Sequence, residues 1–284
     1  MRRVSSTNPC PICGKPDWCL AATDDSAAIC ARIESAKRCG EAGWFHRLTI
    51  APPSRPSRPH TKRIRPSTPL NDFTAFSEQC MSSLPEKRRV LFAESLGLSE
   101  HSLIALRVGW SDAHHVWTFP MMEPSSGKVI GIRLRNLGGS KYAVTGGKEG
   151  LFIPTTEPEP AEPLLIAEGA TDTAALLDLG FTNVVGRPSC TGGIKPLVTL
   201  TRIRRPQGVV IIADGDEAGR KGAANLSSVL VAYSHEVRVI EPPAGVKDVR
   251  AWKLSGASRA DVEQVILSAP PRRLLISTTI RGNR

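Results

Sequence analysis

Two short apolar runs that each end in carboxylates constrain this chain more than any other feature. Leu164-Leu165-Ile166-Ala167 runs into Glu168-Gly169, and Val209-Val210-Ile211-Ile212-Ala213 runs into Asp214-Gly215-Asp216. Neither run alternates polar with apolar residues, so each reads as a strand buried on both faces, as in a parallel sheet covered by helices. The stretch Ala170-Thr171-Asp172-Thr173-Ala174-Ala175-Leu176-Leu177-Asp178-Leu179 has helical apolar spacing and stops at Gly180. A further strand candidate, Asn183-Val184-Val185-Gly186, follows it. Together these make a βαβ unit of an α/β sheet, whose ligand crevice forms at the carboxyl ends of the strands. Glu168, Asp214 and Asp216 would share that crevice. Three such acids repel one another without a cation, and their hard oxygens suit Mg²⁺ or Mn²⁺.

Each motif alone is weak. Glu-Gly after a strand is an ordinary loop start, and Asp-Gly-Asp is a frequent turn. Asp214-Gly215-Asp216-Glu217-Ala218-Gly219 also opens like a calcium-binding EF-hand loop. There, however, the twelfth position is Asn225 rather than glutamate, and an apolar strand precedes the loop instead of a helix.

Taken together, Ile166-Ala167-Glu168-Gly169 with Asp172 and the Asp214-Gly215-Asp216-Glu217-Ala218-Gly219 segment resemble the Toprim domain of primases, topoisomerases and related nucleases. The resemblance runs over residues 163 to 250. More loosely, the whole chain resembles phage-, plasmid- and bacterial-type replicative primases. It implies a Rossmann-like, mostly parallel sheet with helices on both faces, spanning residues 162–268. It implies catalytic roles for Glu168, Asp214 and Asp216, with Mg²⁺ or Mn²⁺ on the same three. Asp172 and Lys247-Asp248 are candidates to complete the acidic rim, with helix caps and surface charges as the plain alternative. The loop Gly186-Arg187-Pro188-Ser189-Cys190-Thr191-Gly192-Gly193 borders the same crevice, and Arg187 and Lys247 are candidates for phosphate contact.

The N-terminus is independent of those motifs. Five of the seven cysteines, Cys10, Cys13, Cys19, Cys30 and Cys39, crowd into the first forty positions, which suits zinc better than packing in a chain without secretory features. Cys10-Pro11-Ile12-Cys13-Gly14-Lys15 has the spacing of a zinc knuckle. Asp17-Trp18-Cys19-Leu20 and Ala28-Ile29-Cys30 read as a hairpin around Thr23-Asp24-Asp25-Ser26, with Cys19 roughly opposite Cys30. Primase zinc ribbons share the order knuckle, hairpin, second knuckle, although Ile33 stands here where a second-knuckle cysteine is expected. Cys10, Cys13 and Cys30 are therefore assigned to Zn²⁺. The fourth ligand stays open among Cys19, Cys39 and His46. Cys80 and Cys190 fall outside the cluster and read as packing residues.

Residues 1–50 thus form a zinc ribbon, and 51–70 a tether rich in proline, serine and arginine with too little apolar content for a core. From 71 to 107 the spacing is helical, with Asn71 or Asp72 and Ser99 as caps. Strand patterns follow at Val116-Trp117-Thr118-Phe119, Val129 to Arg135 and Lys141-Tyr142-Ala143-Val144. The period-two spacing sets Arg133 and Arg135 on one face, with Lys141 and Lys148 following across turns. Such a face holds phosphates, or is simply a solvated surface. Resemblance to primases makes 71–155 a mixed α+β basic polymerase subdomain, with Trp18 or Trp44 of the ribbon as stacking platforms for template. Residues 269–284 are a basic tail.

The formal net charge of +10 favours an anionic polymer as partner. No apolar run approaches the ~20 residues of a membrane span, and Met1-Arg2-Arg3-Val4-Ser5 lacks a signal-peptide core, so a cytoplasmic setting without membrane contact is expected. A topoisomerase needs a tyrosine nucleophile, and the two tyrosines, Tyr142 and Tyr233, lie in no such context. There is no GxxxxGK[ST] loop, so a helicase would be a separate partner. The expectation is metal-dependent synthesis of short RNA primers from NTPs on single-stranded DNA. A Toprim nuclease and a non-catalytic DNA-binding Toprim module are the alternatives.

Overall fold

The computed structural model describes residues 1–48 and 72–274, so the expected tether at 51–70 and the tail from 275 onward lie outside the described residues. The chain divides into two compact units, Met1–Arg63 and Ile64–Arg284. No helix among the described residues is long and apolar enough to cross a membrane.

The first unit is an antiparallel sheet of short strands in the order β1-β2-β3-β4: β1 (Arg2–Arg3), β2 (Leu20–Ala21), β3 (Ala27–Cys30) and β4 (Trp44–Arg47). β2 and β3 make the expected hairpin, pairing Leu20 with Ile29. That register carries Cys19 and Cys30 to the same end of the ladder. The apolar content is slight: Val4, Ala21 and three cysteines form its buried cluster.

The second unit opens with helices α1 (Phe73–Ser82), α2 (Glu86–Leu96) and α3 (Glu100–Ala105). Asp72 caps α1 by accepting from Thr74 and Ala75 N–H, and the Ser99 hydroxyl accepts from Ser102 N–H at the start of α3. An antiparallel sheet follows in chain order, β5 (Gly109–Ser111), β6 (Val116–Met122), β7 (Val129–Asn136) and β8 (Lys141–Ala143). Phe73 and Phe76 of α1 pack on one of its faces, against Val116, Val129, Ile132, Leu134 and Val144.

The remainder alternates strand and helix, as the apolar runs require: β9 (Leu164–Glu168), α4 (Ala170–Asp178), β10 (Val184–Arg187), α5 (Ile194–Arg204), β11 (Val209–Ile212), α6 (Glu217–Leu230), β12 (Val237–Ile240), α7 (Val249–Leu254) and α8 (Arg259–Ser268). The four strands are all parallel, in the order β10-β9-β11-β12. One face packs a core that includes Leu165, Ala167, Ala174, Leu176 and Trp252 and continues into Leu96, Leu103 and Phe119 of the preceding subdomain. The other packs Ile166, Ile211, Leu197 and Leu226. Both faces are covered, which explains why β9 is apolar up to Glu168 and β11 throughout.

One connection fixes the two sheets of this unit to each other. Leu151 exchanges backbone hydrogen bonds with Met122 at the end of β6 (2.7 and 2.9 Å), and Phe152 does so with Gly186 in β10 (2.8 and 3.0 Å). Two consecutive residues therefore clasp the edge of each sheet, and the basic strand β7 is held at a set position relative to the parallel sheet.

Candidate active site

The chain leaves β9 for β10 on one side and returns to β11 on the other, so the direction of winding reverses between β9 and β11. In open parallel sheets a crevice forms outside the carboxyl ends of the strands at such a reversal. Glu168 ends β9, and Asp214 and Asp216 follow β11. A cleft of about 530 Å³ lies there, and Glu168, Asp172, Asp214, Asp216 and Asp248 all line it.

Local structure accounts for each carboxylate. Asp216 accepts from Gly219 N–H at 2.8 Å and caps α6, while Asp248 caps α7 by accepting from Ala251 N–H at 2.7 Å. Gly219 is sterically required, because a Cβ there would stand 2.6 Å from the Asp214 carbonyl oxygen. The final glycine of the Asp214–Gly219 motif thus lets α6 start directly over the end of β11. Asp172, in the first turn of α4, accepts from Arg250 N–H at 3.0 Å.

Burial pushes the Asp214 carboxyl up to about 7, and Asp172, Glu168, Asp248 and Asp216 add like-charge repulsion. Burial also lifts Asp172 to about 6, with Asp248 adding to it. Glu168 is raised by burial against the pull of Arg187, and its Oε2 is buried without a hydrogen-bond partner. Five carboxylates lining one cleft, two of them raised by burial and mutual repulsion, offer the hard oxygen donors that suit a divalent cation.

The facing wall is basic. Arg133 and Arg135 on β7 and Lys141 on β8 line the cleft, as do Lys247 and Arg250. Arg133 spans the two sheets, donating from Nη2 to the Pro188 carbonyl at 3.3 Å. Arg135 lies over the Phe92 ring, 5.9 Å from its centroid, and that ring stacks on Trp117. The sequence reasoning missed Arg250; its signal was its place two residues beyond Asp248.

Two expected contacts are placed elsewhere. Arg187 was expected to meet phosphate, but its side chain is 1% exposed and its Nη2 faces Glu168 Oε2 at 3.7 Å. It is enclosed because β10 is covered on both faces and α6 passes over its end. Lys148 opens on a different groove, with Asp72, Thr74 and Lys128. Its N–H donates to the Ile130 carbonyl, which carries the segment past the far end of β7 from Arg133 and Arg135.

In the first unit the sulfurs of Cys10, Cys13, Cys19 and Cys30 lie within 4.8 Å of one another. Cys19 therefore fills the place left open in the sequence. His46 Nε2 is engaged with the Ile33 carbonyl at 2.9 Å, and Cys39 precedes a 3₁₀ turn (Gly40–Ala42) outside the cluster. Backbone amides turn towards sulfur as a metal–thiolate site requires. Ala31 N–H meets Cys19 Sγ at 3.4 Å, and Arg32 and Ile33 N–H meet Cys30 Sγ at 3.4 and 3.3 Å. The second knuckle keeps its backbone although Ile33 replaces its cysteine. Four thiol sulfurs clustered this closely are the donor set of structural zinc.

No family model matches this chain, and no curated protein matches it by sequence. Solved structures do. The chain is similar to the E. coli primase catalytic core, at 17% identity over 70% of this chain and 79% of that one, with a TM-score of 0.55. It is similar to the zinc-binding and RNA polymerase domains of the Aquifex aeolicus primase, at 17% identity over 70% of this chain and 59% of that one, TM-score 0.56. A DnaG primase catalytic domain bound to single-stranded DNA matches at 18% identity over 69% of this chain and 79% of that one, TM-score 0.54. The fold is that of primase catalytic cores.

Proposed function

We propose that the protein is a primase, a DNA-directed RNA polymerase that makes short RNA primers on single-stranded DNA from NTPs. The observation that carries this reading is one cleft with five carboxylates on one wall and Arg133, Arg135 and Lys141 on the other. Phosphoryl transfer onto a nucleic-acid end needs both walls: an anionic one for cations and a cationic one for the polymer and the triphosphate. Similarity to primase catalytic cores supports the same reading.

Asp214 and Asp216 would hold Mg²⁺ or Mn²⁺ together with Glu168, and Asp172 and Asp248 would complete the anionic rim. When bound, the cation supplies charge stabilisation for an in-line displacement at the nucleotide's phosphorus. Glu168 holds the cation or accepts the proton of the attacking 3′-hydroxyl, and the cationic wall with Lys247 orients template and triphosphate. Cys10, Cys13, Cys19 and Cys30 hold zinc in a ribbon over residues 1–50, ahead of a polymerase subdomain at 71–155 and a Toprim domain at 162–268. A replicative helicase is the expected partner.

The test is incubation of the full chain with single-stranded DNA, NTPs and Mg²⁺ or Mn²⁺. Short oligoribonucleotides should form with the wild type and not with Asp216→Ala. DNA degradation without products would replace this reading with a nuclease, and neither activity with a binding module.

A metal effect on stability follows from the raised carboxyls. Asp214 and Asp172 keep protons in the fold that the unfolded chain has released above pH 3.8, so folding stability falls as pH rises towards and through 7. A cation takes the place of those protons. Thermal melts should therefore show Mg²⁺ raising Tm by at least ~5 °C more at pH 8 than at pH 5. Equal rises at the two pH values would place the cation elsewhere.

A further inference from the structure

Arg187 lies against the carboxylate centre and yet is sealed from the cleft. It ends β10 in register with Glu168 at the end of β9, so the two side chains leave adjacent strands side by side. Its Nη2 and Glu168 Oε2 are 3.7 Å apart, and both atoms are buried without a hydrogen bond. Its Nη1 donates to the Gly222 carbonyl at 3.4 Å. Gly222 has no Cβ for a reason: one would collide with the Cys190 carbonyl and stand 3.0 Å from Arg187 Nη2. The guanidinium is thus roofed by α6 and by the Cys190 backbone, and it has no path to a ligand in the cleft.

We propose that Arg187 is a positioning residue for Glu168. A buried charge persists only beside its counter-charge, and removing one partner strands the other. Arg187 fixes Oε2 on the protein side, which leaves Oε1 as the oxygen that Glu168 presents to the cleft. The same guanidinium is a resident positive charge beside the carboxylates. It weakens their hold on a divalent cation while setting the geometry in which Glu168 works. The two effects have opposite signs when Arg187 is changed, which separates positioning from plain structural support.

The effect on turnover rests on the primer-synthesis reading, whereas the effect on metal binding does not. In Mn²⁺ titrations of the full chain, followed by electron paramagnetic resonance of the free ion, Arg187→Gln should bind Mn²⁺ at least ~5-fold more tightly than wild type. Its kcat for primer synthesis should fall at least ~10-fold with KM for NTP little changed, since small misplacements of a catalytic group cost that much or more. Arg187→Lys, which keeps the charge and loses the fork, should hold wild-type Mn²⁺ affinity and still lose about 10-fold in kcat. Unchanged or weaker Mn²⁺ binding by a folded Arg187→Gln would overturn the proposal. If that variant does not fold, weakened Mn²⁺ binding or full turnover by Arg187→Lys overturns it instead. Wild-type protein that binds Mn²⁺ but makes no primers would overturn the polymerase reading alone, and the Arg187→Gln Mn²⁺ comparison would then decide this one. Failure of the wild type to bind Mn²⁺ would overturn both.

Discussion

An Asp214→Asn chain should lose about three powers of ten in primer synthesis and yet melt higher than wild type in metal-free buffer at pH 8. The substitution keeps the shape of the side chain and removes its charge. Asp214 is the carboxyl most strongly raised in the cleft, first by burial and then by repulsion from Asp172, Glu168, Asp248 and Asp216. At pH 8 the wild type must ionise it in that setting, which destabilises the fold until a cation arrives. Asparagine ends the repulsion and is expected to raise Tm by several degrees, in proportion to the kcal/mol relieved. It also removes an anionic oxygen from the cation site. Charge stabilisation of several kcal/mol corresponds to about a thousandfold in rate. Differential scanning fluorimetry with and without Mg²⁺, beside the primer assay, reads both signs. A variant that is less stable than wild type without metal, or that keeps its activity, would show that Asp214 is not a cation ligand held against its neighbours.

That cleft was partly legible in the sequence, and the parts differ for physical reasons. The parallel sheet could be read because β9 and β11 are apolar without alternation, and a strand of that texture must be covered on both faces. Its carboxylates could be grouped because a reversal in winding leaves only one crevice at the carboxyl ends. The fate of Arg187 could not be read. An arginine just after an apolar strand looks like a phosphate contact, and only the register with Glu168 and the close pass of α6 at Gly222 show that it points inward. The position of Lys148 was hidden for a related reason. Lysine after a basic strand continues the charge pattern, but the pairing of Lys148 N–H with the Ile130 carbonyl sets it at the far end of β7 from Arg133 and Arg135, on a different groove. Pairings made by two isolated residues leave no periodicity to detect. Arg250 also lines the cleft, but its N–H to Asp172 belongs to the backbone, so only its place two residues beyond Asp248 marks it in the sequence.

Cys19→Ser should abolish zinc binding and unfold the first unit, whereas Cys39→Ser and His46→Ala should each retain one zinc per chain. The register of β2 with β3 brings Cys19 beside Cys30, with 4.0 Å between their sulfurs, and Cys19 Sγ lies 3.8 Å from Cys13 Sγ. Burial, with the neighbouring thiols of Cys10 and Cys13 adding to it, pushes the Cys19 thiol up to about 12, so a dicationic metal is what favours the thiolate there. The unit's strands are two to four residues long, and its apolar cluster is mainly the cysteines themselves. So small a core cannot offset chain entropy, and in modules of this kind the metal's binding energy is the folding energy. Arg32 adds to the site's balance of charge, with Nη1 3.8 and 3.9 Å from the sulfurs of Cys19 and Cys13 and Nη2 on Asp17 at 2.6 Å. Elemental analysis gives the zinc count, and limited proteolysis within residues 1–48 reports folding. Retention of zinc by Cys19→Ser, or its loss from Cys39→Ser, would move the fourth ligand and with it the geometry assigned to the second knuckle.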